Sequence, residues 1–403
     1  MQQALELLPI GKPQEALDIL KNENSAEGHY LKALALYRLE LRDAAKEQLD
    51  KAMAKAPNNL KYHGFMLRMS LMNENDGATS DKLVQLDELL QMYEQNKSSG
   101  AIALFGATGF AKKGDVPSAM KAFRTSVALS DEIPEFLPEM LIFAMRGQMG
   151  PEALTVLEKL EKRNPNDPIL ARQRVGVLLM LKEYDDAIRN ARDIYKREKE
   201  SEDSAMLYGR ALASAPGTAE RDKALQGVIQ RYPAQEQLLL LQATYLARSN
   251  RLDQAVKMLN KVIDGKPGDE KYSLLHIAID LPLEAGNAEI AEQQIDRYRS
   301  LIKPPLLMTY YEGRLQMVRK DYKAATATLT KVVEAGKDNT QGSLALAKEA
   351  LIWLQQIQYN QQVSNAMQKA ATEATSEETP EKGAAGDSEK TEKPSSKKND
   401  QEE

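Results

Sequence analysis

Apolar side chains recur every three or four residues along most of the chain, which is the period of an amphipathic α-helix. Stretches such as RSNRLDQAVKMLNKVIDGKPGD (248–269) and MLKEYDDAIRNARDIYKREKES (180–201) repeat one order of charged, small and apolar positions. A short amphipathic helix is marginal alone and must bury its apolar stripe against a neighbour. The pattern therefore predicts many short helices that pack on one another.

Small residues mark the repeat. Ala119, Ala153 and Ala187 are 34 residues apart, and apolar residues follow each of them after four and about seven positions. The same frame contains Ala45, Ala255, Ala291 and Ala325. Spacings of four and three place these residues on one helical face, where a small side chain lets two helices cross closely. The sequence predicts a series of helix–turn–helix units.

This 34-residue unit resembles the tetratricopeptide repeat. The clearest unit is 236–269, whose residues at the signature positions are Ala243, Leu246, Leu252, Ala255, Leu259, Val262 and Pro267. The resemblance implies an all-α, right-handed superhelical solenoid of about nine units. We expect a shortened N-terminal hairpin at 1–25, the repeat array at 26–339, a capping helix at 340–360 and a disordered tail, rich in acidic residues and lysine, at 361–403.

Two units depart from the pattern. The unit 60–99 has a longer turn, NENDGATS, between its helices. The unit 202–235 has Arg221 at the position of the marker alanine, so we expect its second helix to be shifted or loosely docked.

Composition agrees with a helical repeat protein and narrows its chemistry. Of the 403 residues, 42% are hydrophobic, 28% are charged and 5% are aromatic. The net charge is −5 and no block of Lys and Arg stands out, which gives nucleic-acid binding little electrostatic support. There is no cysteine. The apolar runs are too short for a membrane span. The sequence leaves the compartment unknown: it is cytoplasmic as written, and a leader before Met1 would make it periplasmic or membrane-tethered.

No catalytic constellation stands out. The three histidines, His29, His63 and His276, are not at metal-ligand spacing. The stretch LFGATGFAKKGD (104–115) superficially resembles a phosphate loop but lacks the Gly-Lys-Ser/Thr ending. We therefore expect no enzymatic activity, no cofactor and no metal.

In the tetratricopeptide family the first helix of each unit lines a concave groove, with unit positions 2, 5, 9 and 12 facing inward. Carried over to this chain, the resemblance implies a partner-binding groove lined by Tyr30, Leu34, Arg68, Arg172, Met206, Arg210, Leu240, Tyr310 and Arg314. Arg172 and Arg210 should share this inner face and pair with carboxylates of a partner. A local salt bridge, for instance with Asp203, is the alternative. Arg38 and Arg248, at position 13, are explained by the helix dipole.

These features favour a scaffold or adaptor that binds segments of other proteins. The alternative is a regulatory or assembly accessory of a membrane or secretion complex, tethered by an anchor that would precede this sequence. Neither nucleic acid nor a membrane span is expected, and the sequence does not indicate the oligomeric state or the partner.

Overall fold

The computed structural model describes residues 1–72, 80–198, 201–233, 235–267, 271–303, 305–336 and 341–376. Within these ranges the chain is helical and contains no β-strand. Two short 3-10 helices, Ser130–Glu132 and Pro134–Phe136, interrupt the α-helices. The α-helices are α1 (Gln2–Leu7), α2 (Pro13–Leu20), α3 (Ala26–Arg38), α4 (Arg42–Lys55), α5 (Leu60–Leu71), α6 (Ser80–Gln95), α7 (Gly100–Lys113), α8 (Val116–Ala128), α9 (Leu137–Arg146), α10 (Gly150–Arg163), α11 (Pro168–Met180), α12 (Tyr184–Arg197), α13 (Glu202–Ser214), α14 (Ala219–Arg231), α15 (Glu236–Arg248), α16 (Leu252–Gly265), α17 (Tyr272–Glu284), α18 (Ala288–Tyr298), α19 (Pro305–Val318), α20 (Tyr322–Ala335) and α21 (Gln341–Ser376).

The predicted all-α architecture of repeated helical hairpins is confirmed. First and second helices pack on each other in hairpins such as α3–α4, α7–α8, α11–α12 and α19–α20. First helices also contact the next first helix, as in α5–α7, α11–α13 and α13–α15. The marker alanines are buried at these crossings, as predicted. They are Ala45, Ala119, Ala153, Ala187, Ala255, Ala291 and Ala325.

Local signals set the helix ends. The side chains of N-cap residues accept hydrogen bonds from the first free backbone N–H groups, which removes unpaired donors from the helix start. These residues are Ser25, Asn59, Ser99, Asp115, Asp167, Ser201, Thr218, Asn287 and Asp321. In most hairpins the turn between the two helices contains one residue with positive φ, which is Glu40, Gly114, Gln148, Lys182, Asn250, Gly286 or Lys320. The turn between α13 and α14 contains none.

Arg221 shows how the unit 202–235 manages without its alanine. The Arg221 side chain leaves the helix crossing and donates to the carbonyl of Pro216 and, at 2.7 Å, to Asp185. Burial along α14 begins at Leu225, one turn later than the marker position. The shift expected from the sequence is therefore present. The longer turn of the unit 60–99 lies mainly in 73–79, outside the described residues.

The last helix is longer than the sequence suggests. α21 continues to Ser376, sixteen residues past Asn360, where the predicted capping helix ends. Alanine and glutamine are frequent in this extension, and both favour a helix even where no packing supports it. The rest of the predicted tail, 377–403, lies outside the described residues, so its disorder stays a prediction, as does the division of the chain into domains.

Contacts group the chain into two compact units, Met1–Val262 and Ile263–Glu403. The first unit contains α1 to α15 and most of α16, and the second contains α17 to α21. None of the described helices is both long and apolar enough to cross a membrane.

Candidate partner-binding surface

The predicted groove residues of α3 and α5 are buried, which corrects the expectation that they line an open surface. Tyr30 and Leu34 are fully buried and Arg68 is 8% exposed. The Tyr30 ring stacks on Tyr62 at 4.9 Å and meets Phe65 edge-on at 5.9 Å. Side chains of the chain itself therefore fill the space that the resemblance assigns to a partner.

The cover comes from a distant part of the sequence. Phe136 is fully buried, and its ring centroid lies 6.0 Å from that of Phe65 on α5 and 5.3 Å from that of Phe105 on α7. Phe136 belongs to the segment Ile133–Glu139, which contains a 3-10 helix and the start of α9. This segment packs onto the first helices of the preceding units and closes their inner face.

Arg38 fixes one end of the segment. Its Nε and Nη2 atoms donate to the two Glu139 carboxylate oxygens at 2.9 and 2.8 Å, and its Nη1 donates to the carbonyl of Leu8 at 2.6 Å. Nη2 also donates to the carbonyl of Glu135. Burial by itself would raise the pKa of Glu139, but attraction to and hydrogen bonds from Arg38 outweigh it and lower that pKa. Arg38 thus does more than complement a helix dipole.

Lys61 holds the other end. Its Nζ lies 3.5 Å from Glu135 and 3.2 Å from Glu27, and the Tyr62 hydroxyl donates to Glu27 at 2.7 Å. Glu135 is only 2% exposed. Burial raises the pKa of Glu135, and Lys61 offsets part of that shift. The two ends of the segment are therefore anchored by cations from different first helices.

Arg68 lies inside the same core. Its Nε donates to the Thr108 hydroxyl at 3.4 Å, and its guanidinium lies 5.9 Å from the centre of the Phe105 ring. Among the described residues, its Nη1 atom and the Tyr30 hydroxyl find no hydrogen-bond partner. Arg68 serves the interior of the unit and is not accessible to a partner.

The predicted residues of α19, in the second unit, are also buried. Tyr310 is 4% and Arg314 is 7% exposed. Arg314 pairs with Asp280 and lies 5.0 Å from the ring centre of Trp353, which donates its Nε1–H to the Tyr310 hydroxyl at 3.1 Å. Burial raises the pKa of Tyr310 to about 12 and raises that of Asp280 although Arg314 opposes it. Helix α21, which contains Trp353, covers this face, so the expectation of an open groove is corrected here too.

The other four predicted residues lie on α11, α13 and α15 and remain accessible. Met206 and Leu240 are half-buried, Arg172 is half-buried, and Arg210 is exposed. Arg172 forms an ion pair with Glu198, not with Asp203. Within the described ranges Arg210 takes part in no ion pair. We call Arg172, Met206, Arg210 and Leu240 the middle face.

One further cation lies on α15, the helix that also contains Leu240. Arg248 ends α15, is exposed, and is in no ion pair among the residues described. From the sequence, Arg248 is explained as a cation at a helix end. Arg38 occupies the same position of its unit and pairs with Glu139, so a residue at this position can bind a carboxylate. Across the described part of the chain, no three His, Asp or Glu side chains are grouped as a metal site would require.

Solved structures with a similar fold are known, but no comparison assigns the chain to a family. No protein-family model matches the chain, and no curated protein matches it. Similar solved structures include yeast Tom70 (14% identity, 68% of this chain and 59% of that chain, TM-score 0.29). Another is the human IFIT1 dimer with m7Gppp-AAAA (15% identity, 91% of this chain and 95% of that chain, TM-score 0.31). A third is Naa15/Naa10 bound to HypK-THB (15% identity, 81% of this chain and 56% of that chain, TM-score 0.27). The chain spans less than two thirds of the length of the Tom70 and Naa15/Naa10 chains.

Proposed function

We propose that this protein is a non-catalytic scaffold that binds a polypeptide segment of another protein on its middle face. The observation that supports this most is the contrast between surfaces. The predicted residues of α3, α5 and α19 are buried by the chain itself, whereas the middle face combines the half-buried Met206 and Leu240 with the exposed Arg210.

Such a surface suits a peptide better than a small substrate. Partly buried apolar side chains gain free energy when a partner's apolar side chain removes them from water. A guanidinium beside them can hold a carboxylate through two parallel hydrogen bonds. Met206 and Arg210 lie four residues apart on α13 and therefore on one helical face.

Arg172 contributes less than the sequence suggests. Its side chain is 31% exposed and that of Glu198 is 33% exposed, so the pair is partly solvated and small in net free energy. A partner carboxylate would have to compete with Glu198 for the same guanidinium. Arg210 is therefore the cation that we assign to partner contact.

Other partner classes stay open to test. The human IFIT1 structure is a dimer with m7Gppp-AAAA. That the present chain does not bind nucleic acid stays a prediction, which rests on the absence of a block of basic residues. The role as a tethered accessory of a membrane or secretion complex would use the same middle face, and no feature of the described residues favours it specifically.

Selection from a random peptide library displayed on phage, with the full chain as target, tests the proposal. We expect peptides whose affinity falls at least about tenfold, or 1.4 kcal/mol, for Arg210→Glu. Lys257→Glu is the matched control, because Lys257 is an exposed cation on the second helix α16. Failure to select any peptide, or equal affinities for both variants, would refute the proposed function.

A further inference from the structure

The last helix carries apolar side chains on two faces, and the chain covers only one of them. Ala350 and Ile357 are buried where α21 packs on α19 and α20. Four other apolar residues, at spacings of seven, four and four, fall within an arc of about 80° on the other side of the helix. We call this set the outer stripe, and its members are Ile352, Tyr359, Val363 and Met367.

The outer stripe is open to solvent. Ile352, Tyr359 and Met367 are 63%, 62% and 68% exposed, and Val363 is half-buried. The terminal unit of a solenoid stays soluble through a polar outer face, which this helix lacks. The segment 377–403 that follows the helix contains no aromatic residue and no Leu, Ile, Val or Met, so it has no apolar side chain that matches the stripe. The partner of the stripe is therefore another molecule.

The charge pattern around the outer stripe selects the kind of molecule. No charged residue occurs in the nineteen positions 350–368, although 28% of the chain is charged. Flanking charges are what direct a helix towards a particular partner helix, and like charges on identical helices repel each other. A helix without charge meets no such repulsion from its own copy. A lipid surface is a poor match, because helices that lie on membranes carry Lys and Arg on their polar face.

The order of residues in the stripe indicates an antiparallel pair. The stripe is nearly symmetric about a point just after Tyr359, so reversing one helix brings Ile352 level with Met367 of the second copy and Tyr359 level with itself. The uncharged run is bounded by Glu349 before it and by Lys369 after it. Antiparallel helices place these unlike charges at the same end, whereas parallel helices would place like charges together.

We infer that two copies of this protein associate through their outer stripes, with the two α21 helices antiparallel and Tyr359 near the two-fold axis. Such a contact uses the same patch of both copies and closes at two, so it leaves no free patch for further growth. The inference goes beyond the proposed function and does not depend on it, because the middle face lies on α11, α13 and α15. A dimer carries two middle faces and so would bind two partner segments at once.

Sedimentation equilibrium of the full chain tests the inference at concentrations from about 1 to 100 µM. We expect the mass to rise towards twice the 44.9 kDa of one chain. Tyr359→Glu places two negative charges opposite each other at the axis and should raise the dissociation constant at least about tenfold. Gln358→Glu is the matched control, because Gln358 is exposed on a different side of the same helix and receives the same charge. It should change the constant by less than about twofold.

Cross-linking tests the orientation, since the chain has no cysteine of its own. Ile352→Cys and Met367→Cys place thiols fifteen residues apart, which is about 22 Å along the helix. In an antiparallel pair, a short bismaleimide should join the two variants when they are mixed and should join neither variant to itself. In a parallel pair, each variant alone would be cross-linked.

The outcomes decide the inference separately from the proposed function. A chain that stays monomeric up to about 100 µM, or a dimer that Tyr359→Glu and Gln358→Glu weaken equally, would overturn it. Cross-links formed by each variant alone would overturn the antiparallel pairing. If the chain is monomeric and displayed peptides bind it in a way that Tyr359→Glu abolishes, the stripe takes a different protein and the inference is wrong. Arg210→Glu should leave the dimer intact, so failure of the middle face would not be mistaken for failure of the dimer.

Discussion

The ion pair between Arg38 and Glu139 should be one of the most costly polar contacts to break in the first unit. The two side chains are only 12% and 14% exposed, although they lie 101 residues apart in sequence. Removing one member of a buried pair leaves an uncompensated charge and costs about 3–5 kcal/mol. Arg38→Met also leaves the carbonyls of Leu8 and Glu135 without their donor, which adds about 1–3 kcal/mol for each that water cannot reach.

We therefore expect Arg38→Met to destabilise the packing of α3 against α9 by at least about 4 kcal/mol. Glu139→Gln should cost about 3 kcal/mol, since the amide oxygen still accepts one hydrogen bond. The double variant Arg38→Met with Glu139→Met should cost at least about 2 kcal/mol less than the sum of the single costs, because no charge is then left buried.

Peptide-resolved hydrogen exchange is the suitable assay, because a chain with two compact units need not unfold in one step. Protection should fall in α3 and α9 and stay unchanged in α19 and α20, in the other unit. Losses below about 1 kcal/mol, which are typical of exposed pairs, or strictly additive losses would refute the reasoning.

Three further outcomes follow from single contacts. Gly114→Ala should destabilise the protein by about 1 kcal/mol, because Gly114 has φ +81° and an alanine is strained there even though no atom lies near the added Cβ. Gly227→Ala is the control: Gly227 lies within helix α14, so the alanine should stabilise the protein by about 0.5–1 kcal/mol. Urea unfolding of the two variants compares these free energies. The pKa of Glu139 is lowered in the folded protein, so the charged Glu139 stabilises the fold, and this stabilisation is lost as the pH falls through that pKa. The pKa of Glu135 is raised, so the charged Glu135 destabilises the fold at neutral pH, and protonation at lower pH removes this destabilisation. The stability difference between wild type and each Gln variant should therefore change with pH in opposite directions in urea titrations. Arg314→Met should destabilise the second unit by about 1.5–3 kcal/mol, because it removes the partner of Asp280. Unfolding in urea can be followed by the fluorescence of Trp353, the only tryptophan in the sequence. An unchanged unfolding midpoint would contradict the role of this ion pair.

The fold could be predicted because the two helices of each hairpin are close in sequence and bury their apolar faces mainly against each other. A small residue at the crossing, apolar residues three and four positions on, and a capping residue at the start are all short-range signals. Ala187 and its neighbours Ala191 and Ile194 are buried together for this reason. The turns were less predictable, since Lys182 and Asn250 adopt positive φ where sequence reasoning expects glycine.

The accessibility of the candidate site could be predicted only in part. Tyr30 and Met206 both lie at position 5 of their units, but whether a side chain is covered depends on contacts far away in sequence. Phe136 covers helices that precede it in the chain, and the 34-residue repeat pattern does not predict such a contact. A usable hint was the pair Pro134 and Pro138. Proline is tolerated only in the first turn of a helix, and these two stand at the start of the 3-10 helix and in the first turn of α9, so the regular helix begins only at Leu137.

Thiol labelling tests most directly the claim that the middle face is open while the N-terminal inner face is filled. The chain has no cysteine, so Leu34→Cys and Leu240→Cys each carry a single reporter that replaces the same residue type at a predicted groove position. Under native conditions we expect Leu240→Cys to react within about tenfold of the unfolded chain, and Leu34→Cys at least roughly a hundredfold more slowly, because its exposure requires opening of the core. A middle-face peptide should slow the first reaction and leave the second unchanged. Equal labelling rates, or protection of Leu240→Cys without any peptide, would contradict the account.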